Sequence, residues 1–327
     1  MDKLNSQGSA AANRIQVEDP FFIVGSERSG TTLLRLMLSH HPEIECAPEF
    51  EFLVEQMTPE EVFPSLPDYH AWLRTNRIFL LHRLKVDDGL SYPDLVKSFL
   101  NQYCDRSDKP IRGAICHKRF DRLLRFWPKA RFVHLLRDGR DVARSCITMG
   151  WCGNVWHGSQ RWLEAEALWD HLKTCTLGKY IYELRYEDLV RDPDGQLGEL
   201  CEFLGTSYSP RMMDYAQGST YSPPDPSLAE QWRGKLSLRD LGLLECRMGD
   251  RLRERGYPDS GVEPAHVGLL RRGLLGLQNR CFCFQFRCHR YGICCLLASK
   301  IAYALGLGSL QRFLKLKQGD IDNRYIK

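Results

Sequence analysis

The residues with the most chemical content in this 327-residue chain lie in one short stretch, FFIVGSERSGTTLLRLML, residues 21–38. Gly25 and Gly30 keep the spacing of a Walker phosphate loop, G-x-x-x-x-G-K-[ST], in which a lysine reaches the outer phosphates and a hydroxyl ligates magnesium. Thr31 stands at the lysine position, Thr32 follows it, and the cation has moved inside the turn as Arg28. Backbone amides around Ser29 and a helix N-terminus can still hold a 5′-phosphate here, with a guanidinium facing its distal substituent. That chemistry suits a nucleotide without a magnesium-bound triphosphate. One such nucleotide is 3′-phosphoadenosine 5′-phosphosulfate (PAPS).

Such a loop must be held by a strand before it and a helix after it. Phe21, Phe22, Ile23 and Val24 read as a short buried strand, and the leucines beyond Thr32 read as a helix. The unit recurs in ARFVHLLRDGRDVARSCITMG, residues 130–150, where a strand over residues 132–136 ends in Arg137-Asp138-Gly139 and a helix follows. KYIYELRYEDLV, residues 179–190, supplies a third strand. Asp192-Pro193-Asp194 then opens a helix through about Leu204, with Gly205 as its stop signal. Strands alternating with helices predict an α/β fold, a P-loop-type parallel sheet sandwiched by helices. Residues 58–106, rich in aromatics and leucine, read as helices and loops on the substrate side. The Pro-rich YSPPDPS, residues 221–227, is a loop, and a helix pair beyond it ends near Gly256 and Pro258.

Composition sets the outer limits. At 43% hydrophobic and 26% charged the chain can bury a full core. The first twenty residues are polar and lack an apolar signal region, and the longest apolar run, residues 293–310, is broken by Lys300 and several glycines. The expected location is cytoplasmic, and the thirteen cysteines read as free thiols. The net charge of +4 conceals a split: residues 265–327 carry eleven Lys/Arg against two Asp, +9, which leaves −5 for residues 1–264. The expected organisation is a flexible N-terminus over residues 1–19, a catalytic domain over 20–258 and a basic, cysteine-rich helical tail over 259–327. Two readings of the tail stand side by side, a helical cap with a solvated basic face and an amphipathic membrane-surface segment that gives peripheral membrane contact. Cys281, Cys283, Cys288, Cys294 and Cys295 do not form the paired C-x-x-C pattern of a zinc site, and no nucleic-acid-binding motif accompanies the charge.

The motifs, in their order along residues 20–258, resemble those of the PAPS-dependent sulfotransferases and in particular the tyrosylprotein sulfotransferase-like branch. In that family a loop [KR]-S-G-T-T-x-[LMW] binds the 5′-phosphosulfate, and here Arg28-Ser29-Gly30-Thr31-Thr32-Leu33-Leu34 matches it. A strand-terminal arginine and a serine eight residues later grip the 3′-phosphate, a spacing kept by Arg137 and Ser145. Taken alone, the spacing favours a salt bridge of Arg137 with Asp141 on a solvated turn; two phosphate motifs in the right order make that the weaker reading. The branch pattern H-P-x-x-x-C-x-x-E falls on His41, Pro42, Cys46 and Glu49, which nominates Glu49 as general base, with Glu51 as the near alternative and a solvated surface carboxylate as the plain reading. Lys118, in ICHKRF, matches a lysine that contacts the bridging oxygen and the sulfonate, and the adjacent His117 is a rival base or a packed strand-end histidine. Tyr186 in RYEDLV matches a Y-E-D-L segment whose residues pack and cap, and Trp232 with Lys235 matches a late W-x-G-K element whose lysine closes over the cofactor. Met149 stands where the branch carries a basic residue.

The resemblance implies in-line transfer of a sulfonate from PAPS to a hydroxyl, of peptide tyrosine or of carbohydrate, without a metal. Arg28 and Lys118 would stabilise the transferring group and the leaving phosphate, and Glu49 would take the acceptor proton. The competing readings are a P-loop nucleotide kinase or NTPase, which needs magnesium and ATP, and an inactive adaptor that binds PAPS or its product 3′-phosphoadenosine 5′-phosphate (PAP).

Overall fold

The computed structural model describes residues 18–60 and 62–325. Nearly all of the segment expected to be a flexible N-terminus therefore lies outside the described residues. The chain runs β1 (Phe21–Val24), α1 (Thr31–His40), β2 (Ile44–Glu49), α2 (Leu66–Leu73), α3 (Arg77–His82), α4 (Tyr92–Cys104) and β3 (Ile111–Ile115). It continues through β4 (Arg131–Leu136), α5 (Gly139–Thr148), α6 (Val155–Cys175), β5 (Ile181–Arg185), α7 (Tyr186–Arg191), α8 (Pro193–Leu204) and α9 (Tyr215–Gly218). Two helices, α10 (Trp232–Lys235) and α11 (Leu238–Glu254), precede three more, α12 (Leu269–Tyr291), α13 (Ile293–Ala304) and α14 (Gly308–Tyr325).

The five strands form one parallel sheet in the order β2-β3-β1-β4-β5. β1 sits at its centre with all four side chains fully buried, because helices cover both faces. Phe22 and Val24 face an aromatic cluster built on residues 50–132, including Phe52, Tyr92 and Phe99. Phe21 and Ile23 face the leucines of α1 and α8. Each of these burials contributes roughly 2 kcal/mol of transfer free energy, so the strand that carries the loop is also the most deeply anchored. The chain lays β2 and β3 on one side of β1 and then crosses to lay β4 and β5 on the other, so the strand order reverses at β1. The crevice at the strands' carboxyl ends there is therefore the place where this class of sheet binds ligands.

Two of the five strands, β2 and β3, go beyond the three that the sequence pattern announces. IECAPE contains a proline that only an edge strand tolerates, and IRGAI is short. Gly113 in the latter is required by packing, since a Cβ there would fall 2.4 Å from the Phe21 carbonyl oxygen. The helix over Pro193–Leu204 starts and stops where its signals lie. Asp192 accepts from the Gly195 amide, and Gly205 closes the helix with φ 87°.

Candidate functional site

At the end of β1 the chain turns through residues 25–30 into α1. Gly30 caps the helix with φ 97°, and a Cβ there would strike the Tyr186 ring at 2.5 Å, so only glycine fits. α1 has no acidic residue in its first turn, which leaves the positive end of its dipole uncompensated. Arg28 is held at φ 73° and is exposed, with its Nε donating to Ser145 Oγ at 3.0 Å. Its carbonyl accepts from Arg137 Nη1 at 3.3 Å. Arg28 thus bridges the loop and the β4–α5 turn. Arg137 and Ser145 meet through it, without a hydrogen bond to each other.

Arg137, at the end of β4, also donates to the Leu228 carbonyl at 2.8 Å and lies over the Tyr186 ring at 4.2 Å. It forms the ion pair with Asp141 as well, at 3.6 Å, but inside the site instead of on a solvated turn. Asp141 in turn accepts from the amides of Gln231 and Trp232 and so ties down the segment behind Leu228. The Arg137 Nε and the Ser29 hydroxyl are both buried and have no hydrogen-bond partner. These groups surround a cavity of about 480 Å³ lined by Arg28, Thr31, Thr32, Arg137 and Tyr186 and closed by residues 220–225.

On the other side of Arg28 lies a second cavity, of about 420 Å³, which shares Arg28, Thr31, Thr32 and Tyr221 with the first. Its remaining walls carry Glu49, Glu51, His117 and Lys118, with Asn76, Arg77 and Ile78 on one rim and Met149 and Trp151 on another. Glu49, half-buried at the end of β2, makes no side-chain hydrogen bond or ion pair among the described residues, while its carbonyl accepts from His82. Glu51 is buried; one carboxyl oxygen accepts from the His117 amide at 3.3 Å and the other has no partner. Burial lifts this carboxyl to about 7, with His117 opposing the rise and Glu49 adding to it. His117 donates from Nδ1 to the Gly25 carbonyl, at 2.9 Å, because that oxygen can only accept. Its Nε2 is left to accept from the Thr31 hydroxyl at 3.4 Å, so the imidazole ties the loop to the end of β3. Lys118 is half-exposed beside Glu27 at 3.8 Å. Burial pushes the Glu27 carboxyl up, but Arg161, His117 and Lys118 outweigh it and hold the group below its ordinary value.

The family profile described as "Sulfotransferase family" matches residues 20–210, a span that contains every residue described above except the wall at 220–232. The chain belongs to the sulfotransferase family. It is 27% identical over 329 aligned positions to the omega-hydroxy-beta-dihydromenaquinone-9 sulfotransferase Stf3 of Mycobacterium bovis, covering 80% of this chain and 81% of that one. It is 25% identical to protein-tyrosine sulfotransferase 2 of Gallus gallus, over 60% of this chain and 53% of that one. Among solved structures, the sulfotransferase domain from the curacin biosynthetic pathway aligns with a TM-score of 0.55 at 19% identity, covering 74% of this chain and 99% of that domain. That likeness speaks for the fold.

In this sulfotransferase the site residues singled out in the sequence line the two cavities or, as with Ser29 and Ser145, lie next to Arg28 behind their walls, while Lys235 lies apart. Lys235 is exposed at the end of α10 and lines neither cavity, because the short helix turns its buried face, Trp232, toward Arg140. Residues that sequence reasoning passed over do the supporting work. Glu187 accepts from the Asp138 amide and from the Tyr257 hydroxyl, which pins the turn that carries Arg137. Asp138 caps α5 and forms a buried ion pair with Arg140 at 2.7 Å. Glu27 and Tyr221 complete the walls. The Y-E-D-L segment contained a signal for Glu187; nothing local to Tyr221 singles it out.

Proposed function

We propose that this sulfotransferase moves a sulfonate from PAPS, held in the first cavity, to an acceptor hydroxyl presented in the second. The observation that carries the reading is the shared wall: Arg28, Thr31 and Thr32, at one helix N-terminus, line both cavities at once. A group that crosses from one to the other passes these three residues. The buried, unpartnered Ser29 hydroxyl and Arg137 Nε suit an anionic ligand such as a nucleotide with phosphates at both ends. Tyr186, with Arg137 over its ring, offers a flat wall beside them.

Bound there, PAPS supplies an activated sulfonate and a stable leaving group, PAP. Arg28 and Lys118 stabilise negative charge on the sulfonate and on the leaving phosphate, aided by the amides at the start of α1. Ser29, Thr31 and Thr32 orient the 5′ end through hydroxyls and backbone, and Arg137 with Ser145 orients the 3′ end. Glu49 accepts the acceptor's proton as the new sulfur–oxygen bond forms. Glu51 has a claim to the same role through its value of about 7, close to the working range of a base. His117 has both ring nitrogens engaged and acts as a positioning residue for Thr31.

The acceptor is a hydroxyl. Relatives are named for a protein tyrosine and for an omega-hydroxylated menaquinone, and the second shares the greater length with this chain. Calorimetry with PAP and with ATP–Mg²⁺, on the wild type and on Arg137→Ala, tests the donor assignment. The reading expects PAP to bind without magnesium, ATP not to compete, and the variant to lose most of that affinity. Binding of ATP–Mg²⁺ with PAP ignored would return the chain to the kinase reading.

A further inference from the structure

The three C-terminal helices carry an apolar surface that no other part of the described chain covers. Along α12, Leu270, Leu274, Leu277, Cys281 and Phe284 recur at alternating four- and three-residue spacings, so they share one face, and all five are exposed. Leu270 stands 81% open. The opposite face of this helix is spent on the body of the protein, through Leu275, Phe282 and Phe286. Along α13, Ile293, Leu297, Ile301 and then Leu305 form a second exposed stripe. The Lys300 ammonium lies 5.9 Å from the centre of the Phe284 ring, so the two stripes adjoin.

Cations rim this surface. Arg280 and Arg287 follow Leu277 and Phe284 by three residues, and Lys300, Arg312 and Lys317 are exposed near them in the chain. Of the two acids in residues 265–327, Asp322 is occupied by Tyr291 and Arg290. Long apolar side chains inside a rim of positive charge match the boundary of an anionic bilayer, where the chains enter the acyl region and the cations meet the headgroups. No helix among the described residues is long and apolar enough to cross a membrane, so the surface would lie on it.

The same helices brace the second cavity from two sides. Phe286 of α12 packs against Gly150, and the Gly153 amide donates to Asn279 at 2.7 Å; Met149 and Trp151, in that turn, line the cavity. Arg77 donates to Asn323 of α14 at 3.1 Å, and Asn76, Arg77 and Ile78 line the opposite rim. Only one helix thickness, about 10 Å, separates the apolar stripe of α12 from the wall it supports.

We propose that α12 and α13 dock the protein on an anionic lipid surface and thereby bring the second cavity beside it, so that the acceptor is a hydroxyl borne by a membrane-resident amphiphile. The acceptor half of this inference rests on the sulfotransferase mechanism proposed above; the docking half does not. The test is flotation of the full chain with vesicles of phosphatidylcholine alone and of phosphatidylcholine mixed with phosphatidylglycerol, without nucleotide. The wild type floats with the mixed vesicles only, and does so less as salt rises. Arg280→Ala/Arg287→Ala binds about 25-fold more weakly, from roughly fivefold per cation. Leu270→Ser/Leu274→Ser/Leu277→Ser loses vesicle binding altogether. Both variants keep wild-type PAP affinity by calorimetry, which reads the integrity of the fold. Absence of wild-type binding, equal binding to neutral vesicles, or variants that float like the wild type would overturn docking. So would a wild-type dimer in light scattering that the leucine variant dissolves, because a second copy would then own the surface. Vesicle binding with no PAP affinity in the wild type would leave docking standing and remove the mechanism.

Discussion

The two cavities share four residues and are otherwise walled by different material. The first is built from the ends of β1, β4 and β5, three strands adjacent in the sheet, through Arg28, Arg137 and Tyr186. The second takes Glu49 and Glu51 from the end of edge strand β2 and just beyond it, and its rims from α3 and the turn after α5, both braced by the C-terminal helices. Adjacent parallel strands fix their ends against one another through the sheet's hydrogen bonds. An edge strand and appended helices leave their positions to local packing. Recognition of a common donor therefore suits the first wall, and recognition of a particular acceptor suits the second.

Substitutions on either side of Arg28 can separate the two. Glu49→Gln should lower turnover about 10²–10⁴-fold while PAP affinity stays at the wild-type level, read by steady-state rates and calorimetry together. If PAP affinity falls in step, Glu49 belongs to the donor wall and the division fails. Arg28→Ala, at the junction, should reduce kcat/KM about 10²–10³-fold. Measured with donor and acceptor varied in turn, the loss should appear in both series, unlike any residue confined to one cavity.

Glu51 sharpens the comparison through pH. Its folded value of about 7 lies above the ordinary 4.5, so the folded state holds the proton more tightly. Its contribution to stability is intact below pH 4.5 and is lost as pH rises through about 7, a change on the order of 3 kcal/mol. Denaturant titrations across that window should show a decline in the wild type that Glu51→Gln flattens. A decline unchanged in the variant would move the titration to another group. If Glu51 is the base, acceptor-side kcat/KM should also rise through about pH 7 and lose that rise in the variant.

Arg137→Ala should weaken PAP roughly 10- to 100-fold, the worth of hydrogen bonds to a charged group, with kcat at saturating donor largely kept. A loss confined to kcat would place Arg137 on the reacting bonds. The smallest effect belongs to Lys235→Ala. An exposed side chain that lines neither cavity should change rates less than about twofold. A tenfold loss in donor affinity would mean that α10 closes over the first cavity when the donor binds.

The same contrast explains what could be read from the sequence. The first cavity rests on local signals: an apolar run, a glycine pair at fixed spacing, an arginine at a strand end and a serine on the next helix. Each signal is short enough to be seen within about twenty residues. Glu49 was visible only through resemblance, because its strand, IECAPE, lacks the β-branched alternation that marks strands and is held by Ile111–Ile115, more than sixty residues away. Lys235 is the same case in reverse. Its W-x-G-K spacing is local, but the direction of the lysine is set by the burial of Trp232 against Arg140. The role of Glu187 depends on Asp138 and Tyr257, each distant in sequence, so its place in Y-E-D-L gave its presence without its partners.

Arg28, Ser145 and Arg137 are already bonded among themselves, at 3.0 and 3.3 Å. On the proposed function, entry of a nucleotide is then partly a trade of partners, in which a bond from one of these three groups to an incoming oxygen replaces one that the protein was making, while the unpartnered Arg137 Nε and Ser29 hydroxyl gain bonds outright. The net gain per contact is nearer 1 kcal/mol than the full strength of a charged hydrogen bond. Departure is eased in equal measure, since each group has a protein partner to return to as its phosphate leaves. If the donor is PAPS, as proposed, a transferase that must release PAP in every cycle would gain turnover from such a site.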